Sequence, residues 1–293
     1  MEFLSKQKII SLCRETGFRP RRQSGQNFLI NQKIVDQIIK EADLNQDDTV
    51  LEIGAGFGFI TEALSQKVKK VMAVELDKRL AQYLEKKFFN EKRVQIIHGD
   101  ILKINLKQYF EDKKFKVIAN LPFNITSLIL RNFLSLPPKP NQMILIIQKE
   151  VAKRVMAQPG QMSLLSVAVQ FYSKPRIISP LPNYYFWPKP EVDSALIKIE
   201  VDGNKNEDLD EEKFFQIIKI GFSARRKQLH NNLSAGLKIP SEKIKENLKK
   251  IGLSEQIRPQ NLSVFDWQKL VRYILTAKRY CDIMKQTGRY KNA

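Results

Sequence analysis

Residues 50–59 constrain this sequence most, because an apolar run there passes into three closely spaced glycines. The apolar residues at the start of the run are typical of the interior of a buried strand. Gly54, Gly56 and Gly58 leave the backbone uncovered, so that it can contact a bound ligand directly. A helical pattern begins at Ile60. The run therefore predicts a strand, a glycine turn and a helix, as in an α/β domain.

Two acidic residues follow the glycines at the ends of further apolar strands. Glu75 lies about 20 residues past the glycine turn, the distance at which an acid reaches the hydroxyls of a ribose. Asp100 follows Gly99 at the end of the next strand. The third glycine comes one residue too early for the dinucleotide fingerprint G-x-G-x-x-G. This pattern favours S-adenosylmethionine over a nicotinamide dinucleotide, although glycines alone would also fit plain packing of a strand on a helix.

The charge of the chain points to a polyanionic partner. Lys and Arg number 50 against 31 Asp and Glu, a formal net charge of +19. Such an excess favours nucleic acid as the partner, and a general richness in lysine is the alternative explanation. Clustering supports the first explanation, since residues 1–33 carry only Glu2 and Glu15 against a set of basic residues: Lys6, Lys8, Arg14, Arg19, Arg21, Arg22 and Lys33.

Cysteine and histidine are too sparse for a disulfide framework or a zinc site. Cys13 and Cys281 lie at opposite ends of the chain, and the two histidines are His98 and His230. We therefore expect no metal. No apolar run approaches the roughly 18 residues of a membrane span, and the N-terminus lacks an apolar signal core. These features predict a cytoplasmic protein that does not enter a membrane.

The order of apolar segments predicts a parallel sheet with helices on both faces, followed by a helical region. Helical spacing recurs within residues 150–172 and again from about 211 onward. The polar stretch 202–210 is the candidate linker, so we expect a first domain over 1–203 and a second over 204–293. Strands of the first domain are expected near 49–54, 70–75, 93–98, 115–119 and 142–148.

Residues 120–124, Asn-Leu-Pro-Phe-Asn, follow the predicted fourth strand. A carboxamide and backbone carbonyls accept hydrogen bonds from an exocyclic amine, and an aromatic ring stacks on a base. The segment therefore suits the recognition of a flat, amine-bearing base, and the alternative is a turn that ends a strand and buries Phe123. Phe186 begins a second proline-rich loop, and its ring fits either the core or a second stacking position, with a slight preference for stacking.

Five motifs in order resemble those of the rRNA adenine N6-dimethyltransferase family (the KsgA and Erm group). The resemblance spans about residues 19–275. It is carried by G-Q-N-F-L at 25–29, E-I-G-A-G-F-G at 52–58, G-D at 99–100, N-L-P-F at 120–123 and F-W-P-K-P-E-V-D-S at 186–194. It implies a class I S-adenosylmethionine-dependent methyltransferase, with a Rossmann-like, seven-stranded, mostly parallel sheet and a small all-helical C-terminal domain.

The resemblance also implies roles for individual residues. The cofactor site would comprise Gln26, Asn27, Leu29, Gly54, Gly56, Glu75, Leu76, Asp100, Ile101 and Asn120. The catalytic residues would be Asn120, Leu121, Pro122 and Phe123. The target base would stack on Phe123 and Phe186. Phosphates of the RNA would be contacted by Arg21, Arg22, Arg225, Arg226 and Lys227.

Leu121 and residues 221–229 resemble the KsgA branch of the family. That branch dimethylates two adjacent adenosines near the 3′ end of small-subunit (16S) rRNA during ribosome assembly, which implies a 30S precursor as partner and a monomeric enzyme. One departure is Phe123, where the family usually has Tyr. The stacking face is kept, so we expect activity to survive.

Three alternatives stay open at this point. The first is an Erm-type enzyme that modifies large-subunit rRNA and confers macrolide resistance. The second is a non-catalytic RNA-binding or assembly factor, which the intact glycine turn, Glu75, Asp100 and Asn120 argue against. The third is a small-molecule methyltransferase, which the net charge of +19 disfavours.

Overall fold

The computed structural model describes residues 4–21, 25–110, 114–202 and 209–276. The described residues form two compact units. The first unit contains those within Met1–Lys153 and Tyr172–Gly203, and the second contains those within Arg154–Phe171 and Asn204–Ala293.

The first unit is built on a seven-stranded sheet. The strands of the chain are β1 (Phe28–Leu29), β2 (Thr49–Ile53), β3 (Lys70–Glu75), β4 (Val94–His98), β5 (Lys116–Asn120), β6 (Gln142–Gln148), β7 (Ser173–Leu181), β8 (Phe186–Trp187) and β9 (Ser194–Val201). The order across the sheet is β4-β3-β2-β5-β6-β9-β7. The first five of these are mutually parallel, whereas β9 is antiparallel to both β6 and β7. The mostly parallel, seven-stranded sheet that the resemblance implies is confirmed.

Helices connect the parallel strands, as the alternation of sequence patterns predicts. The helices that precede β7 in the sequence are α1 (Lys6–Thr16), α2 (Gln32–Glu41), α3 (Phe59–Ser65), α4 (Lys78–Lys87), α5 (Lys107–Phe110), α6 (Thr126–Ser135), α7 (Lys149–Val155) and α8 (Leu164–Tyr172). The helical region expected over 150–172 is two helices rather than one. Pro159 and Gly160 lie between them, and Gly160 has a φ of 104°, which a helix cannot accommodate.

The strand interiors are apolar, as expected for parallel strands, which are usually buried on both faces. Val50, Leu51 and Val117 have no exposed surface, and Met72 is 1% exposed. The first helix after the glycine turn packs closely on the next one. A Cβ added at Gly58 would approach carbons of Leu84 and Phe88 to 2.7 Å. Glycine is therefore required there for packing as well as for its φ of 76°.

A separate two-stranded ribbon joins distant parts of the sequence. β1 pairs with β8 in antiparallel register, with Phe28 opposite Trp187 and Leu29 opposite Phe186. The N–H of Ile30 continues the ribbon by donating to the carbonyl of Tyr185 at 2.8 Å. The ribbon therefore brings the 25–29 motif and the 186–194 motif, far apart in the sequence, to one place.

The second unit is helical in the part of the chain that the structure describes. Its C-terminal segment contains α9 (Glu211–Gly221), α10 (Leu229–Leu237), α11 (Ser241–Lys250) and α12 (Val264–Thr276). Trp267 is fully buried, and a Cβ at Gly221 would come within 2.4 Å of its ring, so α9 and α12 are in close contact. The basic tail expected after about 281 lies outside the described residues. No helix among the described residues is long and apolar enough to cross a membrane.

Candidate active site

A cleft of about 360 Å³ lies at the carboxyl ends of β2, β3, β4 and β5. Ligands of open α/β sheets bind at this edge. Most of the residues predicted for the cofactor and the base line this cleft: Gln26, Asn27, Leu29, Gly54, Gly56, Glu75, Leu76, Asp100, Ile101, Asn120 and Pro122. The structure thus brings together residues that the sequence separates by up to 96 positions, from Gln26 to Pro122.

The glycine turn follows β2 and forms one wall of the cleft. The N–H of Gly54 donates to the carbonyl of Val74 at 2.8 Å, which ties the turn to the neighbouring strand. Gly56 has a φ of 60°, and a Cβ there would come within 3.1 Å of the Phe28 ring. Phe28 therefore packs closely against the turn, at a position where the φ and the nearby ring both favour glycine.

The carboxylate of Glu75 holds the turn to the end of β3. Its Oε2 accepts from the N–H of Gly56 at 2.8 Å, and its Oε1 accepts from the N–H of Asp77 at 2.9 Å. Glu75 is only 6% exposed. Burial raises the pKa of Glu75, and the hydrogen bonds from Asp77 and Gly56 oppose that rise. The carboxylate lies in the cleft wall, where its remaining lone pairs can accept from a diol.

Asp100, Leu76 and Ile101 line the cleft next to Glu75, at the ends of β3 and β4. Oδ1 of Asp100 accepts from the N–H of Leu102 at 3.0 Å, which fixes the loop after β4. Ile101 is 8% exposed, whereas Leu76 is 68% exposed beside Glu75. Leu76 lines the cleft with most of its side chain uncovered, so its surface is free to contact a bound ring system.

Residues 25–29 line the cleft beside the glycine turn. Oε1 of Gln26 accepts from the backbone N–H of Arg21 at 2.9 Å, and the N–H of Asn27 donates to the carbonyl of Gly25 at 3.0 Å. Leu29 is buried at 7% exposure in the ribbon with β8. These contacts place Gln26 and Asn27 at the cleft because the ribbon anchors the chain that follows them.

Asn120 ends β5 and is oriented by the N-terminal segment. Its Nδ2 donates to the carbonyl of Asn27 at 2.9 Å. That hydrogen bond assigns the amide, so Oδ1 is the atom left to accept from a ligand. Asn120 therefore presents an acceptor in the cleft, as the recognition of an exocyclic amine requires.

The three residues after Asn120 are placed differently from one another. The side chain of Leu121 is buried at 2% exposure, and its N–H donates to the carbonyl of Ile146 at 3.1 Å. Leu121 can therefore act on a ligand only through its backbone. Pro122 lines the cleft, and its carbonyl accepts from the hydroxyl of Thr126 at 3.2 Å. Phe123 is half-buried and does not line the cleft in this structure.

The structure places Phe186 in the core rather than in the cleft. Its side chain is 3% exposed and belongs to the apolar cluster that includes Leu29, Leu181 and Leu196. Pairing of β8 with β1 turns the ring inward, so it presents no free face to a base. This geometry goes against the stacking role expected for Phe186 and favours the core role that the sequence left as its alternative.

The predicted RNA-contacting residues lie in two places. Arg21 is exposed and lines the cleft. Arg22 lies outside the described residues. Arg225, Arg226 and Lys227 are exposed in the second unit, directly after a short 3-10 turn over Phe222–Ala224. Nδ2 of Asn232 holds this turn by donating to the carbonyls of Gly221 and Ala224, at 2.6 and 3.0 Å.

Glu52 is a cleft residue that the sequence reasoning does not assign to the site. It lies within β2, is 2% exposed, and its Oε2 accepts from the hydroxyl of Thr61 at 2.6 Å. Burial raises the pKa of Glu52 to about 8, and repulsion from Glu75 adds to the rise. The sequence signal is an acid inside an otherwise apolar strand, since such a residue is rarely buried without a role.

These residues fit S-adenosylmethionine. A carboxylate at the end of β3 suits a ribose diol, Asp100 suits an adenine amine, and exposed apolar surface lies between them on Leu76. The uncovered backbone of the glycine turn allows close approach of the rest of the ligand. Among the described residues, no group of His, Cys, Asp and Glu is arranged to hold a metal ion.

Comparison with known proteins agrees with this geometry. The sequence model of the family described as "Ribosomal RNA adenine dimethylase" matches residues 17–276. A relative from Dehalococcoides mccartyi, named "Ribosomal RNA small subunit methyltransferase A", is 41% identical over 254 residues, which are 86% of this chain and 87% of the relative.

Two solved structures share the fold. A dimethyladenosine transferase from Plasmodium falciparum is 26% identical with a TM-score of 0.75, over 87% of this chain and 98% of its own. The 23S rRNA methyltransferase ErmE is 23% identical with a TM-score of 0.70, over 84% of this chain and 99% of its own. At that identity, the likeness to ErmE concerns the fold alone.

The buried Glu52 makes the stability of the protein depend on pH. The pKa of Glu52 is raised from an ordinary 4.5 to about 8, so the folded protein holds a proton that the unfolded chain releases. The contribution of the neutral Glu52 side chain to the free energy of unfolding is therefore complete below pH 4.5, and it is lost as the pH rises toward 8. We expect Glu52→Gln to gain stability over the parent by roughly 1 kcal/mol for each pH unit between 5 and 8.

Urea unfolding of the cofactor-free parent and Glu52→Gln proteins at several pH values measures this difference. Gln keeps an oxygen that can accept from Thr61, so the hydrogen bond at 2.6 Å need not be lost. Glu62→Gln is the matched control, because Glu62 is a partly exposed acid on α3 that pairs with Lys87. A difference for Glu52→Gln that stays constant across this pH range would contradict the buried, neutral state of Glu52.

Proposed function

Because the chain belongs to the ribosomal RNA adenine dimethylase family, we propose that it dimethylates the N6 amines of two adjacent adenosines near the 3′ end of small-subunit rRNA. S-adenosylmethionine is the methyl donor. The proposed substrate is a precursor of the 30S subunit, and the protein would act on it as a monomer in the cytoplasm, where these subunits are assembled. The relative at 41% identity is named for the small subunit, which favours this branch over the Erm type.

The observation that carries the proposal is the position of Asn120 in the cleft that holds the cofactor residues. Glu75 and Asp100 line one side of this cleft, and the Asn120 amide oxygen is directed by the hydrogen bond from Nδ2 to Asn27. A single cleft therefore offers a cradle for a nucleoside cofactor and, beside it, an acceptor for the amine of a second base. A methyl transfer between the two ligands needs this adjacency.

When bound, S-adenosylmethionine supplies an electrophilic methyl group. The amine of adenine is a weak nucleophile because its lone pair is delocalised into the ring. In the proposed complex, N6–H groups of the adenine donate hydrogen bonds to Oδ1 of Asn120 and to the carbonyl of Leu121. These hydrogen bonds would localise the lone pair on nitrogen. The same acceptors would stabilise the positive charge that develops there.

Positioning accounts for the rest of the proposed catalysis. Pro122 stiffens the loop that carries the acceptors, and Phe123 follows it as the proposed stacking ring for the target base. Alignment of two bound reactants can lower a barrier by about 7–11 kcal/mol. No proton needs to leave N6 before the transfer, because the amine becomes acidic only when it gains the methyl group. A general base is therefore not required at the start of the reaction.

We propose that the second unit helps to bind the rRNA. A target adenine must leave its stack, which costs a few kcal/mol. Phosphate contacts by exposed basic residues can offset that cost. Arg21 at the cleft and residues 225–227 of the second unit are exposed and suited to such contacts. The catalytic role of the first unit and the rRNA-binding role of the second are part of the same proposal.

The function is tested by transfer of radiolabelled methyl groups to small and large ribosomal subunits that lack dimethyladenosine. We expect label only in the small subunit, as dimethyladenosine identified by mass spectrometry. Label only in the large subunit would assign the protein to the Erm type instead. No label in either subunit, with S-adenosylmethionine still bound, would favour a non-catalytic assembly factor.

Asn120→Ala removes the proposed acceptor for the adenine amine. We expect kcat for methyl transfer to fall by a factor of about 100 or more, since removal of one stabilising group at a developing charge typically costs that much. Calorimetry should show a much smaller effect on the Kd of S-adenosylmethionine. The readouts are single-turnover transfer to small subunits and cofactor titration.

Asn141→Ala is the matched control for Asn120→Ala. Asn141 is exposed and lies just before β6, at the edge of the sheet opposite the cleft. The control should transfer methyl groups at the parental rate. If Asn120→Ala also retains the parental rate in a folded protein, Asn120 does not have the proposed role.

A further inference from the structure

A second cavity, which we call the N-terminal groove, lies between the end of α1 and the β1–β8 ribbon. It has a volume of about 450 Å³, and its lining includes Ile10, Arg14, Phe18, Arg19, Pro20 and Trp187. The groove lies entirely within the first unit and shares no lining residue with the cleft.

The groove combines unpaired cations with a half-exposed aromatic ring. Arg14 and Arg19 are exposed, and neither guanidinium has an ion-pair or hydrogen-bond partner within the part of the chain that the structure describes. Arg79 adds a third cation, because its Nη1 donates to the carbonyl of Gly17 at the rim. Glu15, the acidic residue next to Arg14, is exposed and does not line the groove.

Trp187 supplies the aromatic surface of the groove. It is half-buried, and its backbone is fixed by pairing with Phe28. An indole ring held by a strand pair can stack on a nucleobase without first losing much conformational freedom. Arginine groups beside such a ring suit the phosphates that flank the base.

The groove and the cleft are separated by a thin aromatic layer. Phe18 lines the groove, Phe28 lines the cleft, and their ring centroids are 5.7 Å apart in an edge-to-face arrangement. Arg21, which follows the groove residue Pro20 directly, lines the cleft. A strand of RNA with one base in the cleft can therefore follow the basic N-terminal segment toward the groove.

We propose that the N-terminal groove binds one unpaired nucleotide of the RNA substrate, with its base on Trp187 and its flanking phosphates on Arg14 and Arg19. This inference rests on the proposed function, since it assigns a second contact to the same RNA. The groove anchors a nucleotide near the target adenosine and does not take part in the transfer itself. The groove thus contributes to the affinity for RNA and not to the rate of methyl transfer once the RNA is bound.

The test uses the full-length protein and small ribosomal subunits that lack dimethyladenosine. Arg14→Ala, Arg19→Ala and Trp187→Leu should each raise the KM for subunits, and Trp187→Leu by about five- to hundredfold. The kcat and the Kd of S-adenosylmethionine should stay at parental values. Trp187→Phe should restore most of the affinity because it keeps a stacking face. The arginine variants should also lower the salt slope of binding by about one each.

Lys69→Ala is the matched control for loss of charge. Lys69 is exposed just before β3, at the edge of the sheet opposite the cleft. Its substitution by Ala removes one positive charge, as each arginine substitution does. Its KM for subunits should stay near the parental value. If Lys69→Ala and Arg19→Ala raised the KM for subunits equally, the effect would be one of net charge, and the proposal that the groove binds RNA would be overturned. KM values within twofold of the parent for all three groove variants would overturn it as well.

A direct readout separates the groove from the proposed function. The fluorescence of Trp187 is the difference between the tryptophan emission of the parent and that of Trp187→Phe. Titration with a short single-stranded oligouridylate should quench this fluorescence. If the parent transfers no methyl group but this quenching occurs and requires Arg14 and Arg19, the proposed function fails and the groove stands. If the parent methylates subunits but Trp187 is not quenched, the groove fails and the proposed function stands. Binding of a peptide instead of RNA would show as quenching by peptide only, which also overturns the proposal.

Discussion

The candidate site depends on the two hydrogen bonds that Glu75 accepts. The carboxylate joins the N–H of Gly56 in the glycine turn to the N–H of Asp77 at the start of α4, with Glu75 itself at the end of β3. Glu75 is 6% exposed, so an unpaired carboxylate there would be costly. The two backbone donors stabilise its charged form and hold the cradle of the cofactor in shape before any ligand arrives.

The second constraint is the β1–β8 ribbon, which brings the N-terminal segment to the cleft. Pairing of Leu29 with Phe186 fixes the chain so that the Asn27 carbonyl accepts from Nδ2 of Asn120. The orientation of the proposed catalytic amide therefore depends on a segment 93 residues earlier in the sequence. The same pairing exposes Trp187 to the N-terminal groove while it buries Phe186.

Sequence patterns predict the parts of this structure that follow from local rules. Parallel strands end at one edge of a sheet, so the sequence alone places Gly54, Glu75 and Asp100 together. The pairing of β1 with β8 could not, because two-residue strands carry no periodic signal. Burial of Phe186 follows from that pairing, so the sequence left its ring between the core and a stacking position, with a slight preference for stacking. Glu52 was missed because a strand position alone does not say whether an acid faces the core or the cleft.

The most direct measurement of the role of Glu75 is the affinity of Glu75→Ala for S-adenosylmethionine by calorimetry. The variant loses the acceptor for the ribose and the link between Gly56 and Asp77. The Kd should rise about ten- to hundredfold, as expected for the loss of hydrogen bonds to a charged group. Urea unfolding shows whether the variant is folded at the temperature of the titration. An unchanged Kd in a folded Glu75→Ala protein would contradict the account, because the cradle would then form and bind without its central carboxylate.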